Sequence, residues 1–591
     1  MCGIGGYQTV DGSSLPEEVL SKFTDSLAHR GPDGTGRHTA DGLGLAQTRL
    51  AIIDLKTGDQ PFYGPGGKAL VANGEIYNFV ELRKGYLDAE FATQSDCEVP
   101  LYSYKQDGDK FTQVLRGMYA IALADSKDGS LHLARDSFGI KPLYYAETKR
   151  GLFFASEPHA ILAAGLMNPV LKNEIATQLL QLQFTTGSQT IFKDVHRVLP
   201  GESLKVNKGR IVARRKIQAL PDGPPLDITE DVAIKSLDNA LMDSVNMHQR
   251  SDVPFGMFLS GGIDSSALLA CMARFNERPV IALTAGFPGT AVNDERAHAK
   301  QVAQAVGAEH IEIAITATDF WETLPAITAA MDDPVADYAI VPTYLLASEA
   351  AKGLKVVLSG EGGDELFAGY GRYRRALRPR LLGGRQMYSH GALDGLGVLR
   401  VESREWRYGI EEAEKAAHGR NWSSLQAAQA TDVIDWLPHD LLLKLDRCLM
   451  AHGVEGRTPF LDPIVTDLAF RLPDHHKVRN GVGKYILRRW LEEALPEACA
   501  FSKKRGFTVP VGAWIASRAD ELGPLVANSA GISEICHPNE VIRLFGAIGQ
   551  GNTKRNSRAC WNLLFFALWH RVHIERVMPS GDAAAVLARK Q

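Results

Sequence analysis

The sequence predicts two folds in series, an α+β first half and an α/β second half built on a doubly wound parallel sheet. Three observations predict them. From residue 1 to about 210 the apolar segments are short, alternating and divided by turn residues, the pattern of antiparallel hairpins. A Pro-rich break, LPDGPPLD, occupies 220–227. Beyond it strand-like and helix-like runs alternate, which calls for parallel strands joined by crossover helices. The expected division is a first domain at 1–210, a linker at 211–230 and a second domain at 231–591. A chain of 591 residues exceeds one core at roughly 100–200 residues per domain.

In the first half GLGLAQTRLAIID, KALVANGEIYN and MYAIALADSKDGSLHLARD read as strands and hairpins, and PLYYAETKRGLFFAS repeats the theme with Lys149, Arg150 and Gly151 at its turn. LPEEVLSKFTDSLAHR (15–30) and SDCEVPLYSYKQDG (95–108) read as helices whose first turns carry acids and serine. In the second half VIALTAGF is a strand, DERAHAKQVAQAVGA a helix, EHIEIAI a strand, VPTYLLASEAAKG a helix and KVVLSG a strand. WNLLFFALWHRV is apolar on all sides and reads as a buried helix.

Composition narrows the partners. Apolar residues make up 45% and charged residues 23%, the net charge is -4 and the pI about 6.5, so neither nucleic acid nor an anionic membrane is expected. Small molecules are the expected partners, and a homodimer is an allowed assembly. The seven cysteines show neither CxxC nor paired spacing, which fits a reducing compartment. MCGIGGYQ has no basic and apolar leader pattern, and no run reaches the ~18 apolar residues of a membrane span, so the expected location is cytoplasmic.

Ligands of doubly wound sheets bind at the carboxyl ends of strands, which places MFLSGGID and VVLSGEGGDE, Val356 to Glu365, where chemistry is expected. The first offers Ser260, Gly261 and Gly262 before a helix near Ser265, so backbone N–H groups can converge on an anion. It lacks the lysine of G-x-x-x-x-G-K-[ST] and carries Asp264 instead. The second loop delivers Asp364, with Glu361 and Glu365 beside it. A lone Gly-rich turn is as readily a plain turn with helix-capping acids, but two such loops place carboxylates together. Two carboxylates about 4 Å apart repel by about 1 kcal/mol in water and about 4 kcal/mol at an effective dielectric of 20. A divalent cation removes the conflict, and magnesium, which commonly bridges carboxylates to substrate phosphates, is the expected ion on Asp264 and Asp364.

SGGIDSS resembles the pyrophosphatase-type loop of enzymes that cleave ATP between the α and β phosphates. Together with SGEGGDELFAGY, EGRTPFLD (455–462) and SKKRGF (502–507), it resembles the glutamine-hydrolysing asparagine synthetases. The resemblance implies an ATP-pyrophosphatase sheet with added helices. Ser260, Gly261, Gly262, Asp264, Ser265, Ser266, Ser359 and Gly360 would meet ATP and pyrophosphate, and Asp264 and Asp364 would hold magnesium. The acceptor carboxylate would become an acyl-adenylate, with AMP and pyrophosphate released. Glu361 matches the residue near the adenylate that takes a proton from attacking ammonia. Lys484 in GVGKYILRRW and Lys504 in SKKRGF match lysines that contact phosphates.

Cys2 follows an initiator methionine whose removal would leave it as the first residue. Its own α-amine, with an ordinary pKa of about 7.7–8.0, could then serve as base for the thiol. Beside RGPDG (30–34), Arg49 in TRLAIID, Asn73, Gly74 and Glu75 in ANGEIYN, and Asp96 in TQSDCEV resemble the class II, N-terminal-nucleophile glutamine amidotransferase domain. The resemblance implies an Ntn-hydrolase-like αββα sandwich. In it Arg49 meets the α-carboxylate of glutamine as a planar fork, Glu75 and Asp96 meet its ammonium group, and the Asn73 side chain and Gly74 N–H form an oxyanion hole. Attack by Cys2 on the side-chain amide would release ammonia and leave a thioester. Cys97 reads as a packed small residue, and His475-His476 as a surface loop.

The expected reaction is amidation of aspartate to asparagine through β-aspartyl-AMP, with glutamine as nitrogen donor. The runner-up is the same mechanism on another carboxylate, a sugar acid or a biosynthetic intermediate. A non-catalytic glutamine or nucleotide sensor is disfavoured because Cys2, Asp264, Glu361 and Asp364 occur together. MDDPVADYAIVPTY (331–344) matches the family in type, and loop 332–338 is expected to face the acceptor. Pro158-His159 stands where relatives often carry a lysine, and ARRKI (213–217) replaces a common aromatic pair.

Overall fold

The computed structural model describes residues 2–589 apart from 293, 379–380, 382, 503–507 and 552. Lys504 therefore lies outside the described residues. The first half holds two six-stranded antiparallel sheets. One contains β1 (Cys2–Thr9), β2 (Gly34–Ala40), β3 (Leu43–Arg49), β8 (Tyr144–Glu147), β9 (Gly151–Ala155) and β10 (His196–Arg197), in the order β10-β8-β9-β1-β3-β2. The other contains β4 (Phe62–Gly64), β5 (Lys68–Ile76), β6 (Gly117–Asp125), β7 (Ser130–Arg135), β11 (Glu202–Asn207) and β12 (Arg210–Lys216), in the order β12-β11-β7-β6-β5-β4. The chain thus stays in the second sheet to Lys216, past the expected start of a linker at 211.

The period-2 pattern explains the layering, because alternate side chains of each strand face opposite ways. Ile4, Leu45, Val71, Ala122 and Leu133 fill the space between the sheets. Tyr7 and Phe153 face outward onto the helix Glu17–Ser26 through Leu20 and Phe23, while Leu70, Ala72 and Ile121 face outward onto the helix Val99–Asp107 through Leu101 and Tyr102. The result is the four-layer αββα sandwich. The expected helices at 15–30 and 95–108 are present, each with a 3-10 turn at one end, Ala28–Arg30 and Asp96–Glu98.

The second half is built on a five-stranded sheet, all parallel, of β13 (Phe255–Phe258), β14 (Ile281–Gly286), β15 (Glu309–Ala314), β16 (Val356–Leu358) and β17 (Glu455–Arg457), ordered β15-β14-β13-β16-β17. The strand order reverses between β13 and β16, and a crevice opens there beyond their carboxyl ends. Both Leu-Ser-Gly loops leave from those two strands, as the sequence predicts. The helix Lys554–His573 buries Trp561, Phe565, Phe566 and Trp569 against the helices Ala317–Ala330 and Val511–Ser517. Among the described residues no helix is long and apolar enough to cross a membrane.

The two halves are joined by buried ion pairs. Arg30 binds Asp446 through both terminal nitrogens at 2.8 and 2.9 Å and Glu157 at 2.6 Å, and Arg447 binds Asp332 at 2.9 Å and Glu157 at 3.1 Å. His159 sits in the same network, its Nδ1 3.2 Å from Asp332 and 3.3 Å from Glu157. Asp333 is held by Arg197 at 2.7 Å and accepts from the Tyr144 hydroxyl at 2.9 Å. Two positions of loop 332–338 differ from the expectation that it faces the acceptor: Asp333 is held by the first-half residues Arg197 and Tyr144, and Asp332 by first-half His159 together with Arg447 of its own half. Glu157, His159 and Asp332 have donor atoms close enough to hold a metal, but Arg30 and Arg447 already supply the positive charge.

Candidate active sites

At one end of the sandwich β1 and β5 present their inner faces to each other. Cys2 shares its face with Ile4, and Asn73 shares its face with Val71, so alternation alone turns both side chains inward. The Cys2 backbone N–H donates to Asn73 Oδ1 at 3.1 Å. The other amide atom, Asn73 Nδ2, is buried with no hydrogen-bond partner among the described residues, a donor held in reserve. Ala72 N and Ile76 N leave the ladder, donating to Gln60 Oε1 at 2.6 Å and to Asp96 Oδ2 at 2.7 Å. Gly74 lies between them with the same parity, so its N–H points to the same open side. A Cβ at Gly74 would come within 2.2 Å of the Met118 carbonyl, which explains the glycine.

Arg49 is the cross-strand partner of Cys2 in the β1–β3 register. It is buried, donates to the Asp54 carbonyl at 2.5 Å and pairs with the exposed carboxylate of Asp59 at 2.7 Å. Glu75 and Asp96 are both buried. Burial pushes the Glu75 carboxyl well above its ordinary value, Asp96 and Glu455 add to that, and Arg457 opposes it. Burial also raises Asp96, against the hydrogen bond from Ile76 N–H. Both carboxyls are pushed toward the neutral form, and a substrate ammonium beside them would favour their ionisation. Burial likewise raises the Cys2 thiol, against the pull of the amino-terminal charge, so nothing in the fold alone makes it a thiolate. Cys97 is packed as expected, with Sγ 3.4 Å from the Gly74 carbonyl and its thiol pushed well up by burial.

The second site surrounds the loop Ser260–Gly262 at the N-terminus of the helix Ile263–Phe275. Gly261 has φ +67, a left-handed conformation that glycine adopts without strain. The Ser260 and Ser265 hydroxyls lie 3.1 Å apart and fix the turn. On one side of the loop is a cavity of about 540 Å³ lined by Asp264, Asp364, His298, Arg374, Lys484 and Arg488 among others. On the other is a cavity of about 310 Å³ with an apolar wall of Phe258, Leu283, Ala285 and Leu346, and with Ser359, Gly360 and Glu361 at its polar end. Ser260, Gly262, Asp264 and Asp364 line both, so the two cavities are continuous around the loop. Ser266 is buried in the helix and is not among the residues lining either cavity, and its hydroxyl has no hydrogen-bond partner among the described residues.

The structure brings Asp264 and Asp364 together around a cation that the sequence places far away. Lys484 Nζ lies 2.5 Å from Asp264 and 2.8 Å from Asp364. Burial alone would lower the ammonium, but the two aspartates outweigh it and raise it. A Cβ at Gly369 would fall 1.8 Å from Asp364 Oδ1 and 2.3 Å from Lys484 Cε, so glycine there is a condition of the contact. Asp264 and Asp364 supply oxygen donors of the kind magnesium takes, and Lys484 Nζ stands at the point where they converge. Arg374 and Arg488 are further cations of this cavity that no motif in the sequence singles out.

Glu361 accepts a hydrogen bond from the Ser359 hydroxyl. Its neighbour Glu365, buried and accepting from the Tyr370 hydroxyl at 2.8 Å, is raised to about 7 by burial and then by Asp364. It is a second carboxyl of the same cavity able to hold or release a proton at neutral pH. His476, expected in a surface loop, is buried in the short helix Asp474–Lys477, its Nε2 3.1 Å from the Ile228 carbonyl. His475 is the exposed member of the pair.

Comparison with known proteins gives the frame for these sites. Residues 236–571 match the family described as Asparagine synthase, and residues 1–216 match the Glutamine amidotransferase domain. A protein of Bacillus subtilis (strain 168) named asparagine synthetase [glutamine-hydrolyzing] 1 is 34% identical, over 98% of this chain and 98% of that protein. Asparagine synthetase B [glutamine-hydrolyzing] of Escherichia coli (strain K12) is 32% identical, over 87% of this chain and 83% of that protein. A protein of Gibberella zeae named amidase chry2 is 28% identical, over 87% of this chain and 90% of that protein. With a synthase match spanning more than half of its length and full-length relatives at this identity, the chain belongs to the asparagine synthase family.

Proposed function

We propose that the protein is a carbon–nitrogen ligase that amidates L-aspartate to L-asparagine with ammonia taken from glutamine, at the expense of ATP cleaved to AMP and pyrophosphate. The observation that carries this reading is the Asp264–Lys484–Asp364 cluster beneath the Ser260–Gly262 loop, on the same chain as Cys2 set against Asn73. The loop N–H groups, Lys484, Arg374 and Arg488 would receive the β,γ-pyrophosphate, and the apolar wall of the smaller cavity would receive the adenine. Magnesium, held by Asp264 and Asp364, would neutralise phosphate charge at the bond that breaks. The aspartate side-chain carboxylate would attack the α-phosphorus, and Glu361 would take the proton of the incoming ammonia.

In the first half, removal of Met1 would give Cys2 an α-amine as its own base, since no histidine base is positioned by the motif. Asn73 Nδ2 and Gly74 N–H would hold the oxyanion, Arg49 the α-carboxylate of glutamine, and Glu75 and Asp96 its ammonium group. Ammonia in water is mostly ammonium, so making it within the same molecule that consumes it preserves the nucleophile.

Amidation of a different carboxylate by the same steps is the second reading. What favours keeping it is that two of the three acids of the loop expected to face the acceptor, Asp332 and Asp333, are consumed by buried ion pairs with His159, Arg447 and Arg197. The deciding experiment is pyrophosphate release with glutamine, ATP and magnesium across a panel of carboxylic acids. Turnover with aspartate supports the first reading, and turnover with another acid but not with aspartate overturns it.

A further inference from the structure

The smaller cavity contains one cation that neither the motifs nor the proposed chemistry uses. Lys444, from the helix Leu442–Met450, lines it beside Glu361, while every other charged residue of its described lining is an acid: Asp264, Glu361, Asp364 and Glu365. The side chain is 6% exposed. Its ammonium makes no hydrogen bond to any described residue; the one ion pair it forms is to Asp337 Oδ2, at 3.6 Å. A buried ammonium has three N–H donors to satisfy, and leaving them unmet is costly, so this group is set for an anionic ligand that arrives from the cavity.

The helix register that delivers it is unusual. Asp432–Leu441 is π-helical, and the chain returns to α-helix at Leu442, which brings Leu441 and Lys444 onto the cavity wall. Wide-turn stretches of this kind are rare and recur at functional positions. The acids around Lys444 do not neutralise it fully. Asp337 uses Oδ1 to accept from Ala339 N–H at 2.6 Å. Asp440 accepts from Trp436 Nε1 at 2.7 Å, and burial pushes its carboxyl well up, toward the neutral form. Burial would lower the Lys444 ammonium, but Asp337, Glu361 and Asp440 outweigh it, so it remains charged.

We propose that Lys444 holds the second, non-reacting carboxylate of a dicarboxylic acceptor. This rests on the reading that the acyl-adenylate forms in this cavity, and it makes Lys444 a specificity-determining residue. One carboxylate is activated next to Glu361 and the loop Ser260–Gly262. The other is fixed by Lys444, which sets the reach between them and rejects acids that carry only the reacting group. A charge-assisted contact of this kind is worth about 1.5–3 kcal/mol, or about 10- to 100-fold in affinity.

The test compares each diacid with the acid that lacks its non-reacting carboxylate: aspartate with 3-aminopropanoate, glutamate with 4-aminobutyrate, succinate with propanoate. The full-length protein, Lys444→Met and Lys444→Arg are compared by calorimetric binding in the presence of AMP and by steady-state pyrophosphate release. At least one diacid should bind the unmodified protein about 10- to 100-fold more tightly than its monoacid. Lys444→Met should remove most of that ratio by raising the acceptor KM, and Lys444→Arg should restore part of it. The proposal is overturned if the ratio is near one in the unmodified protein, if Lys444→Met leaves it unchanged, or if the substitution raises KM for ATP instead, which would give Lys444 to the α-phosphate. Preference for a diacid other than aspartate would sink the aspartate reading while supporting this one.

Discussion

Arg457 Nη2 lies 3.3 Å from Glu75 Oε1, which places a side chain of the parallel sheet against a carboxylate of the other half that is proposed to meet glutamine. Arg457 is the last residue of β17, fully buried, and its own carbonyl accepts from Ser359 N–H at 2.8 Å, at the start of the loop that carries Glu361. One residue thus touches both sites, with its guanidinium further fixed by Glu455 at 2.5 Å and by the His248 and Arg250 carbonyls at 2.9 and 2.7 Å. Arg457→Lys keeps a charge but loses the planar fork, so Glu75 should be harder to ionise. We expect a glutamine KM raised about tenfold, with a much smaller change in ammonium-dependent turnover. Steady-state rates with each nitrogen source check this; equal losses with both would show that Arg457 does not act through Glu75.

Cys2 and Asn73 separate the two half-reactions. Cys2→Ala should abolish glutamine-dependent product and spare synthesis from added ammonium salt. Asn73→Ala removes an uncommitted amide donor near Cys2 and should slow glutamate release by about 10²- to 10³-fold. Glutamate and pyrophosphate measured in parallel distinguish the two losses.

Lys484 should show the opposite split. Lys484→Met leaves Asp264 and Asp364 facing each other without the cation now 2.5 and 2.8 Å away. Pyrophosphate release should fall by at least about 100-fold with either nitrogen source, as expected when a buried charge pair loses one partner at a cost of about 3–5 kcal/mol. Glutamate release should persist.

His159 makes the domain interface sensitive to alkali. Burial alone would lower this imidazole, but Asp332 and Glu157 outweigh it and raise its pKa from 6.5 to about 10. Because the folded state holds the proton more tightly than the unfolded chain, the contribution is fully present below pH 6.5. It declines as the unfolded chain deprotonates and is lost by about pH 10. The thermal midpoint should therefore fall between those pH values, and the fall should be shallower in His159→Gln. Calorimetric scans across that range check it; parallel curves for the two proteins would refute the assignment.

Local pattern alone made much of this molecule legible. Period-2 alternation in KALVANGEIYN predicts a hairpin strand, and alternating strands and helices after residue 230 predict a parallel sheet with MFLSGGID and VVLSGEGGDE at strand ends. Those are short-range properties of the chain, and both reappear in the structure. The start of the linker was not legible in the same way. An edge strand such as β12, with Arg214 and Arg215 exposed, has no core-facing period strong enough to read.

What the sequence determined by itself is the family and the two Leu-Ser-Gly loops at strand ends, because glycines, aspartates and a cysteine at fixed spacing are local requirements of backbone and charge. What only the tertiary structure decided is which distant side chains meet. Lys484 enters between Asp264 and Asp364, Arg457 reaches Glu75, Asp332 and Asp333 go to the interface, and Lys444 faces the cavity with its donors unmet. A lysine or arginine is an exposed, solvated residue by default, and nothing in its neighbours along the chain reports otherwise. Burial and proximity turn it into a site, and those belong to the packed fold.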